Sequence, residues 1–120
     1  MRGDLEVKVW GTGMPRREFL HVDDLADACL YLMNCYDDDR IVNIGWGTDI
    51  TIGELAELIA RTVGFSGRIA FDPNLPDGTP RKLLDTRRLT SLGWEPKVGL
   101  EDGLRSTYRW FLENVDEVRA

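Results

Sequence analysis

Trp10-Gly-Thr-Gly-Met-Pro-Arg-Arg-Glu-Phe-Leu-His-Val-Asp-Asp24 decides the fold: a glycine-punctuated loop runs into paired arginines and then a short apolar segment. Gly11-x-Gly13-x-x-Arg16 lacks the third glycine of a dinucleotide-binding turn, and extended chain rather than a helix is expected after it. The loop is therefore not read as a dinucleotide cradle. Before it, residues 6–10 (EVKVW) alternate β-formers and predict a strand. After it, residues 17–22 predict a short strand or extended segment. Asp23 or Asp24 then caps a helix whose apolar positions Leu25, Ala28, Cys29, Leu32 and Tyr36 recur at helical spacing. The acidic run 37–39 ends that helix.

Farther out, residues 41–44 (IVNI) read as a short buried strand and Gly45-Trp46-Gly47 as a turn. Thr51-Ile52-Gly53-Glu54 has the form of a capping box, in which hydroxyl and carboxylate satisfy each other's orphan backbone donors. Ile52, Leu55, Leu58, Ile59 and Val63 make one apolar face, with Gly64 as a left-handed stop. Residues 68–71 (RIAF) predict a strand, and residues 72–80, with Pro73, Pro76, Asp77-Gly78 and Pro80, a loop. Asp85 caps a short helix that Gly93 ends. A last helix over about 100–115 carries Leu104, Tyr108, Phe111, Leu112 and Val115, weakened at Gly103 by ~1 kcal/mol. Strands and helices alternate, with three main helices and no repeat, so the class is α/β without a complete Rossmann unit. The chain opens at a strand with no βαβ unit before it, and is expected to be the second part of something longer.

Composition narrows the function. The 120 residues are 42% hydrophobic and 30% charged, which excludes a disordered or fibrous chain. A net charge of −6 argues against a nucleic-acid partner, whose phosphates need a concentrated cationic face. Arg16-Arg17, Arg81-Lys82 and Arg87-Arg88 are local exceptions that suit a small phosphorylated ligand. No apolar run spans a membrane, and no leader for secretion is expected. Cys29 and Cys35 lie six residues, or roughly 9 Å, apart along one helix, too far for a disulfide, and neither has metal-ligand spacing. They are read as reduced cysteines of a cytoplasmic protein.

The pattern Gly11-x-Gly13-x-x-x-Arg17-x-Phe19-x-His21-Val22-x-Asp24 resembles the extended short-chain dehydrogenase/reductases that act on nucleotide sugars. Asn43-Ile44-Gly45 and Leu92-Gly93-Trp94-x-Pro96 match later signatures of that superfamily. Within it, Val9-Trp10-Gly11, the run PDGTPRKLLD over residues 76–85 and Ser106-Thr107-Tyr108-x-Trp110-Phe111-Leu112-Glu113-Asn114 are similar to the GDP-L-fucose synthase family. The resemblance implies a GDP-sugar-binding C-terminal region, residues 1–120 forming one domain. It implies an upstream NADP-binding domain, NADPH as cofactor of the full-length enzyme, and a homodimer. That family epimerises GDP-4-keto-6-deoxy-mannose at C3 and C5 and reduces its 4-keto group. Its Gly-rich cofactor loop, its Ser, Tyr and Lys, and its Cys/His epimerisation pair match nothing here. No catalytic or metal residue is therefore assigned, and the chain alone is expected to be inactive.

Carried over residue by residue, the family's substrate contacts fall on Trp10, Arg17, Asp77 and Lys82. Arg17 offers a planar fork of donors matched to a diphosphate, and Lys82 adds a point charge. Trp10 presents a flat face to base or ribose, and Asp77 could accept from guanine N–H donors. The plainer alternatives are a core role for Trp10, a turn role for Asp77, solvated charges at Arg17 and Lys82, and a structural His21. Trp46, Trp94 and Trp110 are read as packing residues. Other readings of the whole are another nucleotide-sugar epimerase or dehydratase, or a stand-alone nucleotide- or protein-binding module. Separated from a cofactor domain, the helix beginning near Asp24 and residues 41–45 are expected to leave an apolar face and a bare strand edge.

Overall fold

The computed structural model describes residues 6–118. In chain order they form β1 (Glu6–Trp10), β2 (Arg16–Arg17), α1 (Val22–Cys35), β3 (Ile50–Thr51), α2 (Ile52–Val63), β4 (Arg68–Asp72), β5 (Arg81–Lys82), α3 (Arg87–Ser91) and α4 (Leu100–Val118). The architecture is α/β, with one two-stranded sheet of order β1-β4 and one three-stranded sheet of order β3-β2-β5.

Local chemistry accounts for the best-defined element, α2. Thr51 Oγ1 accepts from Glu54 N at 3.0 Å while Glu54 Oε1 accepts from Thr51 N at 3.3 Å, completing the capping box. Gly64, at φ 75°, ends the helix in the left-handed region. The next two orphan donors, Ile52 N and Gly53 N, bond Pro15 O and Gly13 O at 2.9 Å each, so the start of α2 holds the glycine loop in place. Its apolar face lies on β1 and β4, which run parallel from Glu6↔Arg68 to Trp10↔Asp72. Val7, Val9, Ile59, Val63, Phe65 and Ile69 are among the residues lining a cleft of about 190 Å³ between helix and sheet.

A second packing centre sits under α1, where Ala28, Leu89 and Trp94 are buried, with Leu20, Tyr31, Leu32, Val42 and Ile44 against them. Polar groups fix the chain that crosses it. Tyr31 donates to Leu92 O at 2.5 Å, and Trp94 Nε1 donates to Asp27 Oδ2 at 2.9 Å. Asp24, buried, accepts from Lys97 N and Val98 N.

Several expectations change. Residues 41–44 form no strand: Val42 and Ile44 pack inward, but no described segment pairs with their backbone, and a strand needs a partner. The extended stretch after the loop is regular only at Arg16–Arg17. Neither Asp23 nor Asp24 caps α1. His21 does, its Nδ1 accepting from Asp23 N at 3.1 Å. Thr86 rather than Asp85 stands at the N-cap of α3 and makes no side-chain bond there, while the Asp85 carboxylate accepts from Arg87 N, the first helical residue. Gly103 is less a weak point than a close approach: a Cβ there would meet His21 Cδ2 at 3.2 Å and Val98 Cγ1 at 3.4 Å. Trp110 is 55% exposed rather than packed. Both cysteines are free and exposed, Cys29 on what was read as the buried face.

His21→Ala removes the cap acceptor and the bond between Nε2 and Ser106 Oγ, 3.0 Å apart. It is expected to cost about 1–2 kcal/mol of stability in urea unfolding, and His21→Asn, which can still cap, less than half of that.

The molecule is more extended than its length requires. Its radius of gyration is 17.1 Å, against ~14 Å for a compact domain of this size. Its accessible surface is 8814 Å², about a third above the ~6,600 Å² expected from its mass. Large apolar side chains are among the exposed residues. Opposite its buried side, α1 exposes Val22, Leu30 and Met33, and α4 exposes Trp110 and Leu112. A helix that is apolar on two sides is built to be covered on both.

Candidate anion-binding site

The site grows from the glycine loop. Gly11 N donates to Asp72 O at 2.8 Å as the chain leaves β1, and Gly11 takes φ 85°. A Cβ at Gly11 would run into the Asp77 carboxylate, so only glycine lets the two loops touch. Asp77 uses both oxygens on Thr12: Oδ1 accepts from its backbone N at 2.6 Å and Oδ2 from its hydroxyl at 2.8 Å. The 72–80 loop is thereby latched onto the glycine loop across 65 residues of sequence.

Beyond the latch, the loop pins two dipeptides side by side. β2 is the middle strand, antiparallel to β3 and parallel to β5, with Arg16 opposite Arg81 and Arg17 opposite Lys82. Arg16 N donates to Pro80 O at 2.9 Å. Four cations thus stand on two adjacent strands, and like charges directly opposite one another destabilise a ladder. Side chains alternate between faces, so the cations divide into two pairs.

One pair is neutralised. Asp49, its side chain 5% exposed, accepts from Arg16 Nε at 2.9 Å and Arg81 Nε at 2.6 Å. Hydrogen bonding from Arg16 is the largest cause holding this carboxyl below its ordinary range. The other pair is not neutralised: among the described residues, neither Arg17 nor Lys82 forms an ion pair. Arg17 Nη1 donates to Arg16 O at 2.7 Å, which fixes the guanidinium while leaving its other donors. Arg17 Nη2 also lies 3.5 Å from where a Gly78 Cβ would stand, which places the guanidinium over the Pro-Asp-Gly turn. Arg17, Glu18, Lys82, Leu83 and Leu84 line an open cleft of about 520 Å³.

Glu18 is on the cleft wall but is not a partner of these cations. Its carboxylate accepts from Gly47 N at 2.6 Å and Leu84 N at 3.1 Å, tying the Gly45-Trp46-Gly47 turn to the chain after β5. Trp10, at the end of β1 and 65% exposed, is linked to the cations through the glycine loop. Of the four residues expected to hold a ligand, the structure thus brings Arg17 and Lys82 together and sets Asp77 beside them. Asp77 acts as a latch on Thr12, and Trp10 is exposed at the end of β1 but does not line the cleft. Asp49, Glu18 and Thr12 were not singled out by sequence reasoning. Their partners lie 29 to 66 residues away, and no local pattern marks them.

The glycine loop does not fit a dinucleotide. Its amides at Gly11 and Thr12 are committed to Asp72 O and Asp77, and a strand follows where a phosphate-binding turn needs a helix N-terminus. No described helix is long and apolar enough to cross a membrane, and no described cluster of His, Cys, Asp and Glu could hold a metal ion.

Residues 1–45 match the model of the NAD dependent epimerase/dehydratase family. A putative GDP-L-fucose synthase 2 of Arabidopsis thaliana is 60% identical over 92% of this chain and 34% of its own. The GDP-L-fucose synthase of Escherichia coli K12 is 51% identical over 96% of this chain and 39% of its own. A crystal structure of a GDP-L-fucose synthetase from Naegleria fowleri, bound to NADP, superposes with a TM-score of 0.87 at 27% identity. It covers 92% of this chain and 36% of that one. The chain therefore spans about a third of the length of the curated relatives it matches.

Proposed function

We propose that this chain, similar along nearly its whole length to about a third of the length of GDP-L-fucose synthases, is the GDP-sugar-holding part of such an enzyme. The observation that carries the proposal is the Arg17–Lys82 pair, adjacent across β2 and β5 and without a carboxylate partner among the described residues, while the neighbouring pair is neutralised by Asp49. Two cations held side by side at like-charge cost have no counter-ion among the described residues, and a diphosphate would supply one of opposite charge. Trp10, exposed at the end of β1, is read as the face for base or ribose. Asp77 serves the nucleotide chiefly by holding the loop that carries it.

In the whole enzyme the reaction is the NADPH-dependent 3,5-epimerisation and 4-reduction of GDP-4-keto-6-deoxy-mannose. NADPH supplies the hydride, and the residues described here do not hold it. Their part is to fix the GDP end, which does not react, so that the keto-sugar is presented in one orientation to groups carried elsewhere. Binding energy from a remote group becomes rate in this way. The apolar outer sides of α1 and α4 and the excess surface support a second, cofactor-binding domain that covers them. A homodimeric, cytoplasmic enzyme completes the reading.

Titration of the chain with GDP, UDP and dTDP tests it. Saturable binding that prefers GDP at least several-fold and weakens with salt is expected. Preference for UDP or dTDP would assign another nucleotide sugar, and no binding by a folded sample would sink the site as drawn. NADPH-dependent turnover by this chain alone would overturn the division of labour.

A further inference from the structure

Asp49 binds the cation pair opposite Arg17 and Lys82, yet it ties together the two strands that carry them. It lies just before β3, on the far side of β2 from β5, and its nearly buried carboxylate spans the middle strand to hold Arg16 and Arg81 at once. Arg16 Nη2 also donates to the Asp49 backbone carbonyl at 3.4 Å, so Arg16 grips that residue at two points. β2 and β5 are two residues long and could slide, and a slip of one residue would turn Arg17 and Lys82 to opposite faces. The Asp49 clamp, made only when Arg16 and Arg81 share a face, favours the observed register over the slipped one. It also withdraws two of the four cations from competition for an anion.

We propose that Asp49 is a positioning residue for the diphosphate site: by gathering Arg16 and Arg81 on one face of β2–β5, it sets Arg17 and Lys82 side by side on the other. This rests on the reading that Arg17 and Lys82 hold the diphosphate. The proposal makes a counter-intuitive demand. Asp49→Asn removes a negative charge near an anion site, which by simple attraction would tighten binding. Positioning requires the opposite.

The test uses GDP as probe, with wild type, Asp49→Asn, Asp49→Glu and Arg17→Ala compared by calorimetry at two salt concentrations. Amide exchange is followed at Arg16, whose N–H donates to Pro80 O. Asp49→Asn is expected to weaken GDP binding about tenfold, the low end of what removing an outer-shell partner costs a metal-binding site. It should also speed exchange at Arg16 while leaving the amides of α2 protected. Asp49→Glu, which keeps the charge and can reach both arginines, is expected to recover most of the affinity. Tighter GDP binding in Asp49→Asn, or unchanged binding with unchanged Arg16 exchange, would overturn the proposal. If wild type itself does not bind GDP, the site reading fails, and exchange at Arg16 alone decides whether Asp49 sets the register. Unchanged protection there would overturn that too.

Discussion

Arg17→Ala is expected to weaken GDP binding about fiftyfold, the range for losing a charge-assisted pair of hydrogen bonds, with little change in thermal stability. The guanidinium makes one intramolecular bond, to the carbonyl of Arg16, and no ion pair among the described residues, so folding depends on it only weakly. What it contributes is a fork already aimed over the cleft and opposite Lys82. Arg17→Lys keeps the charge and loses the fork, and should recover only part of the affinity. Lys82→Ala, removing a point charge on a flexible stem, should cost less than Arg17→Ala. In the whole enzyme the same substitution should appear mainly as a raised KM, because the diphosphate is held alike before and during reaction. A loss below threefold in Arg17→Ala would mark the arginine as a solvated charge.

Trp94→Ala is the largest expected stability effect, about 3–5 kcal/mol from transfer and cavity together. Trp94 is 4% exposed, packs on Ala28 and Leu89, and its Nε1 bonds Asp27 on α1. Few side chains share that burden: Ala28, Leu58, Leu89 and Trp94 are the buried hydrophobic residues of the described chain. With so small a core, stability falls at the low end of the usual ~5–15 kcal/mol, so the variant should be largely unfolded at 25 °C by near-ultraviolet circular dichroism. Trp94→Phe, which fills most of the space and lacks the N–H, should remain folded and lose about 1–2 kcal/mol. A cooperatively folded Trp94→Ala would mean that α1 is held chiefly by the polar ties of Asp24 and Tyr31.

The contrast between these two residues shows where sequence reasoning works. β1, β4 and α2 were legible because their signals are local: alternation in EVKVW, the Thr51–Glu54 box, and a glycine at the left-handed stop. β3 and β5 were not, since two residues carry no period and owe their conformation wholly to the strand they meet. Residues 41–44 failed in the reverse sense, with strand-forming composition but no described partner. At the site, the cationic dipeptides were visible, but their division into a neutralised and an open pair depends on Asp49, 33 residues from Arg16 and 32 from Arg81. The latch between Asp77 and Thr12, 65 residues apart, was hidden for the same reason.

The pairing of β1 with β4 also sets an order of assembly. Glu6 meets Arg68, their side chains joined by an ion pair, across 62 residues of intervening chain. Closing so long a loop is entropically costly and slow, whereas α2, capped at both ends by its own neighbours, can form early and locally. Val7 and Val9 are therefore expected to gain protection after α2, which offers them and Ile69 a surface to dock on, and pulse-labelled amide exchange checks that order. An apolar strand left with free edges before that docking is a site for capture by another copy or by a chaperone.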